Sequence, residues 1–293
     1  MPVTFHFIRH AESTHNVSMD LNEHDPVLTQ TGHKQCRELA AEIRGLGHEF
    51  DLVLCSPMKR TIQTALAIFP KYLRSDKIML HSDFQEGGTY GADTGSPPEE
   101  LKTLFGTKKL DYWFVAPDWT DKRLGTRYHV SVASKRGQAA RLFLKLVARM
   151  YRDTDAHIAV VSHGFFLANL IFPKSGSFGN ADRRTYYIDY EEDHGLLTFI
   201  TETPCSIAKR EKKRLDAIPK GDFQNSFGFQ LPAPGGLQYK APDLGGTVCE
   251  GMDYQQQTSY GGQQPSSGLF WNGQQQNLSG NCASLFGGVP STP

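Results

Sequence analysis

The first two thirds of the chain alternate short apolar runs with helical patterns, and this alternation constrains the fold more than any other feature. Four runs are rich in β-branched and aliphatic residues: VTFHFI (3–8), DLVLCS (51–56), KIMLHS (77–82) and HIAVVS (157–162). Such runs are typical of strands that are buried on both faces. Strands that alternate with helices predict an α/β domain with a mostly parallel central sheet.

The segments between these runs carry apolar residues at helical spacing. Leu39, Ile43 and Leu46 recur at i, i+4 and i+7, which predicts a helix. A wider stripe of the same period is formed by Leu142, Phe143, Leu146, Val147 and Met150. Near residue 190, the runs TYYIDY and GLLTFITET flank the turn-like EEDHG, a pattern that predicts a β-hairpin.

The composition changes after about residue 217, where the chain becomes rich in Gln, Gly and Ser. A segment of this kind buries too little apolar surface to offset its conformational entropy. We therefore predict a folded domain over residues 1–203, a basic linker over 204–216 and a disordered, low-complexity tail over 217–293. No binding partner of the tail is predicted.

Charge and cysteine content narrow the cellular context. The formal net charge is zero, so nothing in the overall balance calls for nucleic acid as a partner. No apolar run approaches the ~20 residues of a membrane span. The five cysteines are widely spaced and form neither a metal-ligand pattern nor a disulfide framework. We expect a cytoplasmic protein, with a nuclear location through the basic run 209–214 as the alternative.

Three of the predicted strands end on residues that are capable of chemistry. Arg9 and His10 follow the first strand, Arg60 follows the second after a short turn, and His163 follows the last. The carboxyl ends of strands in an open α/β sheet border the crevice where ligands bind. We therefore expect these four side chains to share one site.

The segment after the second strand adds a local reason for anion binding. Ser56 and Pro57 have the residue types preferred at the N-cap and first position of a helix. Arg60 would then lie in or next to the first turn, beside free backbone N–H groups and the positive end of the helix dipole.

These residue types together suit a phosphoryl group. Arginine binds phosphate oxygens in bidentate fashion, and histidine can attack phosphorus as a nucleophile. The sequence has no P-loop pattern, no acidic metal cluster and no His-Glu metal motif. We therefore predict that side chains, and not a metal or another cofactor, neutralise the charge of the phosphate.

Four ordered motifs resemble those of the histidine phosphatase superfamily, in its phosphoglycerate-mutase-like branch. They are FIRHAESTHN (7–16), DPVLTQTGHKQ (25–35), SPMKRTIQTA (56–65) and VVSHGFF (160–166). EGGTYGADTGSPPEEL and GNADRRTY are more loosely similar to a fungal-type phosphatase subgroup. The resemblance implies a three-layer sandwich around the central sheet.

The resemblance also implies roles for individual residues. His10 corresponds to the nucleophile that becomes phosphohistidine. Arg9, Arg60 and His163 correspond to the rest of the phosphate pocket, and Asn16 is similar to a further phosphate contact of the family.

Glu86 stands where the family usually has its proton donor. It would protonate the leaving oxygen and then act as base on the water that frees the enzyme. Asp83 and Asp93 are close in sequence and remain alternative donors.

Three positions depart from the family pattern. Ala11 follows the nucleophile where glycine is most frequent, and Ala92 stands where the loosely matched subgroup often has cysteine. Gly164, and not aspartate, follows His163, so the acid-phosphatase branch does not fit.

The function expected from these residues is hydrolysis of a small-molecule phosphomonoester. A phosphoglycerate-mutase-type phosphotransferase is one alternative, but the long basic signature of such mutases is missing after Arg60. A weakly active protein that recognises phosphate for regulation or as a scaffold is the other. The presence of both His10 and Glu86 disfavours it, since binding alone requires neither a nucleophile nor an acid.

The segment 87–132, which we interpret as a lid or insertion, would select the substrate. It mixes large aromatic side chains, among them Tyr90, Tyr112, Trp113, Phe114 and Trp119, with lysines and arginines. The aromatics either pack the lid onto the core or contact an apolar, prenyl-like body of the substrate. Arg183 and Arg184 are further candidates for the mouth of the pocket.

Overall fold

A mixed seven-stranded sheet lies at the centre of the computed structural model, which describes residues 3–69, 71, 73–171, 176–189 and 200–217. The strand order is β4-β3-β2-β5-β1-β6-β7. The strands are β1 (Thr4–Arg9), β2 (Leu52–Cys55), β3 (Ile78–His81), β4 (Leu110–Phe114), β5 (His157–Ser162), β6 (Arg183–Ile188) and β7 (Ile200–Glu202).

The four apolar runs form the parallel centre of the sheet, as predicted. β5 pairs in parallel with both β1 and β2, and β2 pairs in parallel with β3. The sequence analysis did not predict β4, which pairs in parallel with β3 at the edge of the sheet. The side chain of Trp113 in β4 is 83% exposed, so this strand lacks the continuous burial that identifies the central ones.

The antiparallel part of the sheet confirms the pairing predicted near residue 190. β6 pairs antiparallel with β1, and β7 pairs antiparallel with β6. The predicted turn of this hairpin lies outside the described residues.

Helices cover both faces of the sheet, which gives the three layers expected from the resemblance. Cys36, Ile62 and Leu101, from three different helices, pack on one face. Leu144 and Phe166 pack on the opposite face. The helices are α1 (Thr14–Ser18), α2 (Gln30–Arg44), α3 (Lys59–Ile68), α4 (Pro98–Phe105), α5 (Ala133–Met150), α6 (Gly164–Leu170) and α7 (Pro204–Asp216).

Helix α5 forms where predicted, but its buried face differs from the predicted stripe. Leu144 and Val147 are buried, whereas Met150 is 80% exposed. Arg136 and Arg141 also lie on the buried face, where both donate hydrogen bonds to backbone carbonyl groups. A pattern based on hydrophobicity alone does not locate a face that contains buried arginines.

The basic segment 204–216 forms helix α7. The Thr203 side chain caps it by accepting a hydrogen bond from the Ser206 N–H group. Lys209 pairs with Glu42 of α2, and Arg210 pairs with Glu202 of β7. These contacts attach the basic run to the sheet and to α2.

The insertion 87–132 is more than a lid, because it supplies α4, β4 and part of the core. Trp119 and Tyr128 are fully buried in the cluster that covers one face of the sheet. The predicted tail from residue 218 onward lies outside the described residues. No helix within the described part is long and apolar enough to cross a membrane.

Candidate active site

His10 follows β1 and is buried with a defined tautomer. Its Nδ1 lies 2.7 Å from the carbonyl oxygen of Ala11. Because a carbonyl oxygen can only accept, Nδ1 carries the proton and Nε2 carries the lone pair. Burial, followed by the charges of Arg60 and Arg9, holds the pKa of His10 well below its usual value. The imidazole is therefore neutral at neutral pH.

Arg60 lies in the first turn of α3, as expected, but the helix begins later than predicted. Its N-cap is Met58, and not Ser56. The Ser56 hydroxyl instead forms a 2.8 Å hydrogen bond with Nε2 of His163 and lies 3.4 Å from the Met58 nitrogen. Ser56 therefore links the end of β2 to the end of β5.

His163 follows β5 and lies beside His10, with ring centroids 5.2 Å apart. Within the described residues, its Nδ1 atom has no hydrogen-bond partner. Burial lowers the pKa of His163 well below the usual range, and the positive charge of Arg60 lowers it further.

Arg9 lies at the end of β1, against the turn that follows His163. A Cβ atom at Gly164 would lie 3.3 Å from the Arg9 Nε, so the absence of a side chain allows this close approach. Arg9 donates from Nη1 to the carbonyl oxygen of Phe178 at 2.8 Å. Burial lowers its pKa, and the carboxylates of Glu86 and Asp182 oppose that shift.

Asn16 in α1 is connected to the backbone of His10. Asn180 donates from Nδ2 both to the Asn16 Oδ1 at 3.1 Å and to the His10 carbonyl oxygen at 3.3 Å. The sequence analysis did not single out the adjacent His15, whose ring centroid lies 6.1 Å from that of His10. Burial, then Arg60 and Arg9, lower the pKa of His15 to about 4.

Glu86 follows β3, and backbone N–H groups hold its carboxylate. Gly87 and Phe166 donate to Oε1 at 2.8 and 2.9 Å, and Phe165 donates to Oε2 at 3.3 Å. Burial raises the pKa of Glu86, whereas the Gly87 N–H group and the charge of Arg60 oppose the rise.

The two alternative proton donors differ in their surroundings. Asp83 forms an ion pair of 2.6 Å with Arg127 of the insertion. Burial raises the pKa of Asp93, and the charges of Arg60 and Lys122 oppose that rise. Asp93 thus interacts with Arg60, which contacts His10, whereas the carboxylate of Asp83 is paired with Arg127.

Lys122 is a charged neighbour of Glu86 that the sequence analysis did not select as a site residue. Its Nζ donates to the side chain of Gln85 and lies 3.4 Å from the Glu86 carbonyl oxygen. Burial and then the charge of Arg136 lower the pKa of Lys122 to about 7. Only its position within a basic insertion could have indicated Lys122, and five other lysines and arginines of the insertion share that signal.

Arg183 and Arg184, the candidates for the mouth of the pocket, both form ion pairs with carboxylates. Arg183 pairs with Glu42 at 2.7 Å and donates to the Nδ1 of His6 at 2.9 Å. Arg184 pairs with Asp182 at 2.8 Å, and its guanidinium lies 4.0 Å from the Phe178 ring centroid. Both arginines are within β6, where neighbouring carboxylates bind them.

One group of metal-ligating side chains was found in the described part of the chain, and it does not include His10. His6, His48 and His157 offer nitrogen atoms within 4.8 Å of one another. Arg183 donates to the His6 Nδ1, so the His6 Nε2 carries the proton that reaches the His157 Nδ1 at 3.1 Å. The contacts of His6 are therefore satisfied by hydrogen bonds without a metal.

Residues 5–173 match the histidine phosphatase superfamily (branch 1), and the chain belongs to this superfamily. It is 38% identical over 263 residues to Phosphoglycerate mutase-like protein 1 of Arabidopsis thaliana, which covers 73% of this chain and 91% of that protein. It is 25% identical over 209 residues to a probable phosphatase of Schizosaccharomyces pombe, covering 65% of this chain and 92% of the other.

Among solved structures, a phosphoserine phosphatase mutant from Entamoeba histolytica is 21% identical, with a TM-score of 0.42 over 68% of this chain and 95% of that one. The resemblance drawn from the four sequence motifs is confirmed by the family match. The chain is accordingly a phosphatase, a hydrolase of phosphoric monoesters.

Proposed function

We propose that the domain of residues 1–203 hydrolyses a small-molecule phosphomonoester through a phosphohistidine at the Nε2 of His10. The observation that carries this proposal is the tautomer of His10. The proton on Nδ1 leaves the Nε2 lone pair available for attack on phosphorus, and the low pKa of His10 keeps that lone pair unprotonated at neutral pH.

Two guanidinium groups next to His10 support binding of a phosphate dianion. Arg60 and Arg9 both depress the pKa of His10 through their charge, so both act on the position where the phosphoryl group would bind. His163 adds a neutral imidazole whose ring centroid lies 5.2 Å from that of His10, and Asn16 is the further candidate contact. Arginine side chains of this kind can supply the electrostatic stabilisation that transfer requires without a metal ion.

The reaction then proceeds in two steps. In the first, the His10 Nε2 forms a bond to phosphorus while the bond to the leaving oxygen breaks, and Glu86 gives its proton to that oxygen. In the second, Glu86 accepts a proton from water, whose oxygen attacks phosphorus and breaks the bond to His10. A raised pKa suits Glu86 to this role, since it must hold a proton near neutral pH.

Exposed apolar side chains next to the cluster support a substrate with an apolar body. Phe165, which donates its N–H group to Glu86, is 52% exposed. Tyr90 and Leu21 are 55% and 44% exposed. Leu21 is close to Arg60 in the structure, because its carbonyl oxygen accepts from the Ala92 N–H group and the Ala92 carbonyl oxygen accepts from Arg60. We call Phe165, Tyr90 and Leu21 the apolar rim. Trp119, one of the insertion aromatics considered for a substrate contact, packs in the core instead.

Turnover of p-nitrophenyl phosphate with and without EDTA tests the proposal. We expect stoichiometric release of inorganic phosphate in both conditions, and its loss in His10→Ala. Loss of activity in EDTA would contradict the metal-independent step. Phosphate that passes to an added alcohol or phosphoglycerate in place of water would favour a phosphotransferase. Phosphate binding without turnover would favour a recognition protein.

Glu86→Gln and Asp93→Asn separate the two candidate donors. An ester with a basic leaving group requires the acid far more than p-nitrophenyl phosphate does, because p-nitrophenolate departs without protonation. We expect Glu86→Gln to reduce hydrolysis of benzyl phosphate by about 10²–10⁴-fold. A loss of that size in Asp93→Asn alone would assign the role to Asp93.

A further inference from the structure

Arg136 of α5 is buried, with 3% of its surface exposed, and it contacts the backbone that carries Glu86. Its Nη2 donates to the carbonyl oxygens of Gln85 and Glu86 at 3.0 and 2.9 Å. We propose that Arg136 is a positioning residue, which holds Glu86 where its carboxyl group can transfer a proton. Arg136 has this role only if Glu86 is the donor of the proposed function.

The same guanidinium also contacts the segment that binds the Glu86 carboxylate. It lies 5.1 Å from the ring centroid of Phe166, within cation–π range. The N–H group of Phe166 donates to the Glu86 Oε1 at 2.9 Å. Arg136 therefore fixes both the peptide from which Glu86 extends and the residue that orients its carboxylate.

Stability alone does not account for a cation at this position. Burial lowers the pKa of Arg136, which means that burial disfavours its charged form. In the described part of the chain, its Nε and Nη1 atoms have no hydrogen-bond partner. Because burying a charge carries a large desolvation cost, a buried ionic group is weak evidence of a stabilising role. What the arginine adds is a pair of hydrogen bonds to the two peptide units that flank the Glu86 Cα.

Arg141 provides a matched control on the same helix. It is also buried, and its Nη1 donates to two successive carbonyl oxygens, those of Asn169 and Leu170, at 2.9 and 3.1 Å. These carbonyls are at the end of α6, whereas Glu86 is bound at its beginning. Substitution of either arginine removes hydrogen bonds to two successive backbone carbonyl groups. Of the two arginines, Arg136 is the one that contacts the Glu86 backbone.

The test compares full-length Arg136→Met, Arg141→Met and Glu86→Gln on benzyl phosphate and p-nitrophenyl phosphate. The ratio of the two kcat values reports protonation of the leaving group, and general loss of structure does not change it. Because misplacement of a catalytic group by 1 Å can cost about 10²-fold, we expect Arg136→Met to lower the benzyl-to-nitrophenyl ratio at least about 10-fold. Arg141→Met should keep the wild-type ratio.

A double variant determines whether Arg136 acts through Glu86. Arg136→Met combined with Glu86→Gln should have the same ratio as Glu86→Gln alone, since the group to be positioned is already removed. A further drop in the double variant would contradict positioning of Glu86. If Arg136→Met does not fold, Arg136→Lys serves in its place. Lysine keeps the charge but lacks the planar fork, so we expect a smaller drop in the benzyl-to-nitrophenyl ratio than in Arg136→Met. A wild-type ratio in Arg136→Lys would overturn the role.

The outcomes separate this role from the proposed function. If Glu86→Gln leaves the ratio unchanged, Glu86 is not the donor and the proposed proton transfer fails. If Glu86→Gln lowers the ratio but Arg136→Met behaves like Arg141→Met, the role of Arg136 fails and the proposed function stands.

Discussion

The Nε atom of Arg60 lies 3.3 Å from the Nε2 atom of His10. A guanidinium can only donate, so it meets the one imidazole nitrogen that carries a lone pair. The nitrogen proposed to attack phosphorus is therefore already beside the cation proposed to hold the phosphate. In the structure, Arg60 is fixed there by a second hydrogen bond of 2.8 Å from its Nη1 to the Ala92 carbonyl oxygen.

The fork of Arg60 should be required for activity. Arg60→Lys keeps the charge but loses the planar pair of donors, one towards His10 and one towards Ala92. We expect kcat to fall by about 10²–10³-fold, the loss typical of one electrostatic contact to a transferring group. Steady-state kinetics on p-nitrophenyl phosphate measures this, with the exposed Arg152→Lys as control. A loss of only a few fold would contradict the role of Arg60.

Lys122 should give the enzyme a dependence on pH near neutrality. Its pKa of about 7 means that it loses its positive charge as the pH rises through that value. Since a phosphate dianion binds better next to a cation, we expect KM to rise between pH 6.5 and 8.5. Lys122→Met should have a flatter KM profile. Lys109→Met, which changes an exposed lysine of the same insertion, should keep the wild-type profile, and an identical profile in Lys122→Met would rule out this role.

Buried histidines should make the fold less stable in acid. Burial and the charge of Arg183 lower the pKa of His6 well below its usual value. Below about pH 6.5 the unfolded chain therefore binds a proton at His6 that the folded chain does not. The contribution of His6 is fully present above that pH and falls by up to about 1.4 kcal/mol for each unit of acidification.

Urea unfolding at pH 7.5 and 5.5 measures the effect of His6. Because buried carboxyl groups with raised pKa values, such as Glu86, change stability in the opposite direction, the comparison is between His6→Gln and wild type. We expect the free energy of unfolding to drop less on acidification in His6→Gln. An equal or larger drop in the variant would show that His6 is not the cause.

The apolar rim should determine preference for the substrate body. Phe165→Ala removes an exposed ring next to Glu86 but keeps the backbone N–H group that binds its carboxylate. Burial of an aromatic side chain contributes about 1.5–3 kcal/mol, so we expect roughly 10-fold lower kcat/KM for naphthyl phosphate. Glycerol phosphate, which has no apolar body, should be hydrolysed as well as by wild type. Equal losses on both substrates would contradict a contact between Phe165 and the substrate.

The sequence predicted those parts of the molecule that depend on local patterns. Continuous apolar runs identified the central strands, and polar residues at their ends placed His10, Arg60 and His163 together, as the structure does. The edge strand β4 was missed because its side chains are half exposed, with no pattern distinct from a loop.

Residues that act through long-range contacts were not predictable from the sequence. Lys122 contacts the Glu86 carbonyl oxygen across 36 residues of chain, and no local spacing predicts such a contact. Arg136 contacts the Glu86 backbone from α5, and no local pattern in that helix indicates that an arginine is buried. The partners of Arg183, Glu42 and His6, are distant in sequence, so no local pattern predicts these contacts.

Detection of the covalent intermediate tests the central claim most directly. Wild-type protein and Glu86→Gln are mixed with p-nitrophenyl phosphate, quenched within milliseconds under conditions that preserve phosphohistidine, and analysed by peptide mass spectrometry. We predict one added phosphoryl group on the peptide that contains His10, more abundant in Glu86→Gln because release by water is slowed, and missing in His10→Ala. Turnover with no adduct at any quench time, or an adduct that persists in His10→Ala, would contradict nucleophilic catalysis by His10.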